Sequence, residues 1–170
     1  MHQQQHNLDL AARLGDALQR QGLWVATAES CTGGGIATAI TEIAGSSGWF
    51  DRSFVTYTNE AKQEMLGVAA TTLGDYGAVS EAVVLEMVRG TLAHSRADLA
   101  VAVSGIAGPG GGSELKPVGT VWFAWACRDG RAEALLARFD GDRHAVRQQA
   151  VGQALSGLLA LATQNRLDTV

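Results

Sequence analysis

The chain has 170 residues and a formal net charge of -4, and 46% of its residues are hydrophobic while 18% are charged. This length suits one globular domain over residues 1–170, and the composition argues against a disordered chain. The acidic balance and the lack of a lysine and arginine cluster argue against nucleic acid as a partner, whereas a small anionic ligand needs only local positive charge.

The cysteine content and the hydropathy argue against several further classes of protein. Cys31 and Cys127 are too few for a disulfide framework, and neither lies in a spacing used for metal ligation, so no structural metal is predicted. No apolar run approaches the roughly 18 residues of a membrane helix, and the polar N-terminal stretch does not resemble a secretion signal. We expect a cytoplasmic protein without a membrane partner.

The N-terminal part of the chain predicts a helix followed by a strand, turn and helix unit. After a flexible lead over residues 1–7, leucines recur at helical spacing through residues 9–21. A short apolar run at residues 23–28 predicts the first strand, which ends in a glycine-rich turn at residues 29–35. The helical pattern resumes over residues 36–43.

A second strand and two further helices are predicted next. Residues 53–58 have the composition of a strand, and Asn59 is the expected N-cap of a helix over residues 60–66 that ends at Gly67. Lys62 then lies in the first turn of that helix. Ser80 is expected to serve only as the cap of the following helix, whose apolar residues share one face.

The C-terminal half predicts the remaining strands and a final helix. Residues 99–103 are fully apolar, which is typical of a central strand covered on both faces. A glycine-rich loop over residues 104–119 leads to a strand at 120–127, and Asp129-Gly130 predicts a hairpin to a strand at 132–139. With a last helix over about 143–162, the fold class is α/β, a three-layer α/β/α sandwich with a mixed, about five-stranded sheet.

Ser30 is the first candidate for chemistry, because ligands of open α/β sheets bind beyond the carboxyl ends of the strands. It lies on a tight strand-to-helix turn followed by glycines at 33–35, an arrangement that lets a nucleophile and backbone N–H donors share one loop. The alternative is that Ser30 or Thr32 merely caps the helix.

Lys62 is the second candidate, because a cation in the first turn of a helix opposes the helix dipole by about 0.3–1 kcal/mol. To act as a base near neutral pH, the lysine pKa must fall by about three units, which corresponds to about 4 kcal/mol. The dipole cannot supply that amount, so the hypothesis requires Lys62 to be buried. The alternative is an ordinary surface lysine.

Other residues near these loops carry weaker signals. Tyr57 either supports the Ser30 and Lys62 pair, stacks on a ring or simply packs. Cys31 is the rival nucleophile, although neither His94 nor His144 is placed to form a cysteine–histidine pair with it.

The loop at 104–119 matches no phosphate-binding fingerprint and is either a segment that closes over a ligand or a plain connection. Arg143 and Arg147, four residues apart at the start of the last helix, either hold a phosphate or form a solvated face.

Four segments taken together resemble the CinA C-terminal domain family, which contains the nicotinamide-nucleotide amidohydrolases. The resemblance runs from about residue 8 to residue 162, and the motifs occur in the family's order and spacing. The segments are Ala28-Glu29-Ser30-Cys31-Thr32-Gly33-Gly34, Tyr57-Thr58-Asn59 with Lys62, Gly77-Ala78-Val79-Ser80-Glu81 and Ser104-Gly105-Ile106-Ala107-Gly108-Pro109.

The resemblance implies a five-stranded α/β/α fold and hydrolysis of nicotinamide mononucleotide to nicotinic acid mononucleotide and ammonia, without a cofactor. It implies Ser30 as the nucleophile, Lys62 as the base, Tyr57 as a supporting group and Arg143 as the phosphate contact. It further implies a substrate pocket formed by Cys31, Thr32, Gly33, Gly34, Asn59, Ser104, Gly105, Ala107 and Gly108.

Two departures from the family pattern are visible. Some members carry an additional N-terminal domain for which this chain has no room, and residue 104 is serine where threonine is expected. The alternatives are a non-catalytic nucleotide-binding or regulatory module, and a Ser–Lys amidase or esterase with another small substrate. We expect a homo-oligomer, on the resemblance, the apolar composition and the four tryptophans.

Overall fold

The computed structural model describes residues 2–167, with side-chain surroundings described through residue 164. Helices and strands alternate through the first half of the chain, and a hairpin followed by a long helix forms the second half. The elements are α1 His2–Gln21, β1 Val25–Glu29, α2 Gly35–Thr41, β2 Phe50–Val55, α3 Asn59–Leu66, α4 Ala70–Tyr76, α5 Glu81–Ala93, β3 Leu99–Gly105, β4 Thr120–Cys127, β5 Ala132–Arg138 and α6 Arg143–Leu167.

The sheet has five strands in the order β2-β1-β3-β4-β5. Strand β1 pairs in parallel with both β2 and β3, whereas β4 pairs antiparallel with β3 and with β5. The predicted mixed sheet is therefore confirmed. Because β2, β1 and β3 run in one direction, the loops that follow them meet at one edge of the sheet.

The two faces of the sheet carry side chains of different size. Alternate residues such as Val101, Phe123 and Trp125 pack against α1, α2 and α6, while Ala100, Ala124 and other alanines face α3, α4 and α5. Since successive strand residues point to opposite faces, this alternation covers the sheet with helices on both sides. The three-layer α/β/α prediction is confirmed.

The first helix begins earlier than its leucine pattern predicted. Helix α1 starts at His2, so the predicted flexible lead is wrong for residues 2–7. Asn7 is buried, and its side-chain Nδ2 donates to the backbone oxygen of Gln148 in α6 at 3.0 Å. Apolar periodicity did not predict this first stretch of α1, because its residues are polar and it contacts a polar residue of α6.

Two elements were not predicted, and one strand is shifted. A short 3₁₀ helix covers Ser46–Gly48, and α4 was missed entirely. Strand β2 ends at Val55 rather than at residue 58, which leaves Tyr57 in the connection to α3. None of the helices within residues 2–167 is long and apolar enough to cross a membrane.

Candidate active site

Ser30 lies immediately after β1, at the start of a turn over residues 30–35 that we call the Ser30 turn. Its backbone N–H donates to the carbonyl oxygen of Val103 at 3.1 Å, which ties the turn to the end of β3. The N-cap of α2 is Gly34, with a φ of 95° and no side-chain cap hydrogen bond. The alternative that Ser30 or Thr32 caps this helix is therefore wrong, and the Ser30 hydroxyl is available for other contacts.

Lys62 meets Ser30 inside the protein rather than at its surface. Its side chain is only 1% exposed; its Nζ lies 3.1 Å from Ser30 Oγ, within hydrogen-bond distance, and donates to Thr56 O at 2.8 Å and to Tyr57 O at 3.3 Å. Within residues 2–167, no carboxylate forms an ion pair with this amine. The surface-lysine alternative is wrong.

Burial lowers the pKa of Lys62, because the low dielectric of the interior disfavours the ammonium form. This is the direction that a general base requires. Lys62 and Leu66 lie four residues apart and are both buried, so the inward face of α3 carries the amine to the sheet edge.

The cap of α3 differs from the prediction. Thr58 is the N-cap, and its Oγ1 accepts a hydrogen bond from Ala61 N at 3.0 Å. Asn59, the expected cap, is the exposed first residue of the helix. The prediction failed by one position because threonine and asparagine are both good caps and stand side by side.

Glu29, the last residue of β1, is fully buried beneath the Ser30 turn. One carboxylate oxygen accepts from Thr32 Oγ1 at 2.8 Å and from Ile36 N at 2.9 Å. The other accepts from Ala37 N at 2.9 Å and from the hydroxyls of Ser53 and Thr27 at 3.1 Å and 3.2 Å. A charged residue at the end of an otherwise uncharged strand was the signal that could have identified it.

A pocket of about 270 Å³ opens beside the serine and lysine side chains. It is bounded by the Ser30 turn, the β2–α3 connection, the loop before α5, the loop after β3 and the start of α6. Its lining residues are Ser30, Cys31, Tyr57, Lys62, Ala78, Val79, Ser104, Gly105, Ile106, Ala107, Gly108, Gly110, Gly111 and Arg143.

Nine of the predicted site residues line this pocket, and four do not. Thr32 is buried with its hydroxyl on Glu29, Gly33 and Gly34 lie outside the lining, and Asn59 is exposed at the start of α3. Four lining residues were not predicted from the sequence as site residues: Ala78, Val79, Gly110 and Gly111. The motif at residues 77–81 pointed toward the first two.

The two arginines at the start of α6 have different surroundings. Arg143 lines the pocket, where its Nη1 donates to Gly108 O at 2.8 Å and its Nη2 to Tyr57 Oη at 3.1 Å. Arg147 instead donates to the Ser30 turn, from Nε to Cys31 O at 3.0 Å and from Nη2 to Thr32 O at 3.2 Å. Arg143 is therefore the arginine that a ligand in the pocket would meet.

Cys31 lines the pocket but is poorly suited to act as a nucleophile. Burial raises the pKa of its thiol to about 11, so the thiolate is scarce at neutral pH. No histidine within residues 2–167 lines the pocket, and the His94 ring is hydrogen-bonded to Gly90 O at 2.8 Å. The predicted absence of a cysteine–histidine pair agrees with these positions.

The fold and the pocket together define a class: an α/β protein with a buried serine–lysine pair at the carboxyl edge of its sheet. No group of three histidine, cysteine, aspartate or glutamate side chains in the described part of the chain is arranged to hold a metal ion. The model of the CinA C-terminal domain matches residues 7–162. The chain belongs to the CinA C-terminal domain family.

Similar proteins cover almost the whole chain. A protein of Enterobacter agglomerans called nicotinamide-nucleotide amidohydrolase PncC is 62% identical over 84% of this chain and 87% of its own length. The Escherichia coli K12 protein of the same name is 56% identical over 93% of this chain and 96% of its own length. The crystal structure of the competence/damage inducible protein CihA from Agrobacterium tumefaciens has a TM-score of 0.90 and 52% identity, covering 92% of this chain and 95% of that one.

Proposed function

We propose that this protein hydrolyses the carboxamide of nicotinamide mononucleotide to give nicotinic acid mononucleotide and ammonia. Relatives that are 56% and 62% identical are called nicotinamide-nucleotide amidohydrolase. The observation that carries the chemistry is the 3.1 Å contact between Ser30 Oγ and the buried Lys62 Nζ in the wall of a pocket. We assign Ser30 as the nucleophile and Lys62 as its base.

The three neighbours of Lys62 Nζ suit a neutral amine. A neutral lysine has two N–H donors and one lone pair. The carbonyl oxygens of Thr56 and Tyr57 can only accept, so they take the two N–H groups. The lone pair then accepts from the hydroxyl of Ser30, which is the one neighbour that can also donate. In this arrangement the serine proton already points toward its base.

The reaction then proceeds in two stages, formation of an acyl ester on Ser30 and its hydrolysis. Ser30 Oγ attacks the carboxamide carbon while its proton passes to Lys62 Nζ. The carbon–nitrogen bond then breaks, Lys62 returns the proton to the departing nitrogen, and ammonia leaves an acyl ester on Ser30. Water attacks this ester with Lys62 again taking a proton, which it returns to Ser30 as the carboxylic acid product leaves. The sum is amide plus water to acid plus ammonia, and it requires no cofactor.

The rest of the pocket matches the other parts of the nucleotide. Arg143 has N–H groups beyond the two that contact Gly108 and Tyr57, and we assign it to the phosphate. Ala78, Val79 and Ile106 supply apolar surface for the pyridine ring. Tyr57 supports Arg143 through its hydroxyl and exposes its ring at the pocket rim.

Ser104 is assigned to the carboxamide. It is 1% exposed and it lines the pocket beside Ser30 and Lys62. A hydroxyl can accept from the carboxamide nitrogen or donate to its oxygen, which would fix the reacting group beside Ser30.

The decisive experiment measures ammonia release from nicotinamide mononucleotide by the wild type, Ser30→Ala and Cys31→Ala. We expect turnover by the wild type and by Cys31→Ala, and none by Ser30→Ala. Ser156→Ala, on the exposed face of α6, is the matched control and should behave as the wild type. Retained activity in Ser30→Ala would transfer the nucleophile role to Cys31.

A panel of nucleoside and nucleotide carboxamides tests the substrate. No ammonia from any of them would favour a non-catalytic nucleotide-binding module. Ammonia from another carboxamide, but not from nicotinamide mononucleotide, would favour a different Ser–Lys amidase.

We also infer a homo-oligomer located in the cytoplasm, where nucleotide salvage takes place. Trp49 and Trp125 are buried and no longer support assembly. The support is the edge strand β5, on which Leu135 and Leu136 are each 40% exposed. Sedimentation at a multiple of 17.7 kDa is expected, and sedimentation at that mass alone would refute the assembly.

A further inference from the structure

We propose that Glu29 and Arg147 are positioning residues that hold the Ser30 turn from opposite sides and thereby keep Ser30 Oγ within reach of Lys62. The inference rests on the proposed function, since it concerns the geometry of the proposed nucleophile. Neither residue lines the pocket, so neither is expected to touch the substrate.

Glu29 secures the donor groups of the turn and of the helix that follows it. Its two carboxylate oxygens accept from the Thr32 hydroxyl and from the first free N–H groups of α2, those of Ile36 and Ala37. Through these contacts Glu29, the residue directly before Ser30, is hydrogen-bonded both to the middle of the turn and to the start of α2 that follows it. Negative charge at a helix N-terminus is also electrostatically favourable.

Arg147 secures the acceptor groups of the same turn from another layer of the protein. Its guanidinium donates to the carbonyl oxygens of Cys31 and Thr32, the two residues that follow Ser30. Within residues 2–167, no carboxylate forms an ion pair with Arg147. Its positive charge is therefore directed at peptide carbonyls. Because peptide groups are planar, fixing a carbonyl also fixes the amide beyond it.

Together the two side chains remove the freedom of the turn to rotate. Glu29 accepts from the Thr32 hydroxyl and from the first N–H groups beyond the turn, while Arg147 donates to the carbonyl oxygens of Cys31 and Thr32, so the turn is held from two sides. A reacting atom displaced by about 1 Å can lose about 100-fold in rate, which sets the scale of the expected effects.

Glu29→Gln is the sharpest test of the first residue. Each carboxylate oxygen accepts a backbone N–H, so the amide nitrogen of glutamine must face a donor whichever way it is turned. We expect kcat to fall about 100-fold, by the scale of a small displacement, while KM changes little. Glu42→Gln, an exposed residue at the other end of α2, is the matched control.

Thr32 provides a milder test should Glu29→Gln fold poorly. Thr32→Val removes a hydroxyl that donates to Glu29, whereas Thr32→Ser keeps one. We expect the serine variant to retain more of kcat than the valine variant. Equal kcat values for both would overturn the role of this contact.

Arg147→Met and Arg147→Lys test the second residue against nicotinamide mononucleotide and the same nucleoside without phosphate. A positioning role predicts an equal loss of kcat on both substrates, with a smaller loss for lysine than for methionine. Arg20→Met, which removes an exposed arginine of α1, is the control. A loss confined to the phosphorylated substrate would make Arg147 a phosphate ligand and overturn the proposal.

A fluorophosphonate separates this inference from the proposed substrate. The reagent forms an Oγ–P bond with an activated serine and releases fluoride, so intact mass reports the labelling rate of Ser30 without any turnover. Variants that remain folded by circular dichroism should be labelled more slowly than the wild type. If the wild type is labelled but releases no ammonia, only the proposed substrate fails; unchanged labelling in both Glu29→Gln and Arg147→Met would overturn the positioning roles.

Discussion

The Ser30 turn and the glycine loop, residues 106–119, face each other across one pocket, but the protein holds them differently. The turn is bound by Glu29 and Arg147 through contacts to side chains, amides and carbonyls. The glycine loop is bound at its base, where Gly119 N donates to Ile106 O at 2.8 Å, while residues 109–115 are all exposed.

Within the described residues, few side-chain contacts join the body of the glycine loop to other elements. Arg143 donates to Gly108 O at 2.8 Å, Arg138 of β5 donates to Leu115 O at 3.5 Å, and Lys116 of the loop donates to Tyr76 O at 2.8 Å. The difference fits the roles proposed for the two regions. Under the proposed function, the reacting atoms lie where the chain is held on several sides, and the loop that would cover the ligand is held by fewer contacts.

The largest expected effect distinguishes the two lysines of the chain, Lys62 in contact with Ser30 and Lys116 in the glycine loop. Lys62→Met should lower kcat by about 10⁴-fold or more, the scale seen when a member of a catalytic unit is removed. Lys116→Met removes one contact of the glycine loop and should change KM by only a few-fold. Ammonia release by both variants measures the contrast, and comparable losses in the two would contradict it.

The next effect concerns Arg143, the arginine that joins the glycine loop to Tyr57. Arg143→Ala should raise KM for nicotinamide mononucleotide about 10- to 100-fold, equivalent to the roughly 1.5–3 kcal/mol of a charged hydrogen bond, and lower kcat less. The phosphate lies away from the carboxamide, so its contact is felt equally in ground and transition states. Unchanged KM would remove Arg143 from the substrate site.

A pH effect should distinguish the buried Lys62 from an ordinary lysine. Burial lowers the pKa of Lys62 in the folded protein, whereas the unfolded chain keeps a value of about 10.4. At pH values between the folded pKa and about 10.4, the unfolded state binds more protons than the folded state, so the unfolding free energy of the wild type increases with pH. Below the folded pKa, the full free-energy cost of burying the charged amine lowers the stability of the folded protein.

Lys62→Met lacks this titration. Urea unfolding of both proteins at several pH values should show the difference in unfolding free energy moving in favour of the wild type as pH rises toward about 10.4. A difference independent of pH across that range would show that the amine is not desolvated.

The smallest effects come from one glycine in each region. Gly33 in the turn has a φ of 56°, so Gly33→Ala should destabilise the fold by about 1 kcal/mol. Gly110 in the loop has a φ outside the left-handed region, and a Cβ there meets nothing within 4 Å. Gly110→Ala should stabilise slightly, by about 0.5 kcal/mol, through a less flexible unfolded chain. Thermal unfolding of the two variants gives the sign of each change in stability, and a loss of stability in both would contradict the comparison.

The sequence alone predicted most of the elements and the central pair of residues. Strand composition, capping residues and helical periodicity act over a few neighbours, so β1, β4 and α5 could be located without the tertiary structure. Ser30 and Lys62 were predicted from position in the elements and from the resemblance. The same local signals failed where polar residues form helix, as at the start of α1, and where Thr58 and Asn59 compete as caps.

The tertiary structure decided which side chains share the pocket and which support it from behind. Thr32 and Asn59 belong to the right motifs but lie outside the pocket lining, because the direction of a side chain depends on the local turn and on its partners. Arg147 reaches Cys31 across 116 positions of sequence. Such a contact is set by strand order and by the packing of α6 on the sheet, and no pattern within a short stretch of sequence encodes it.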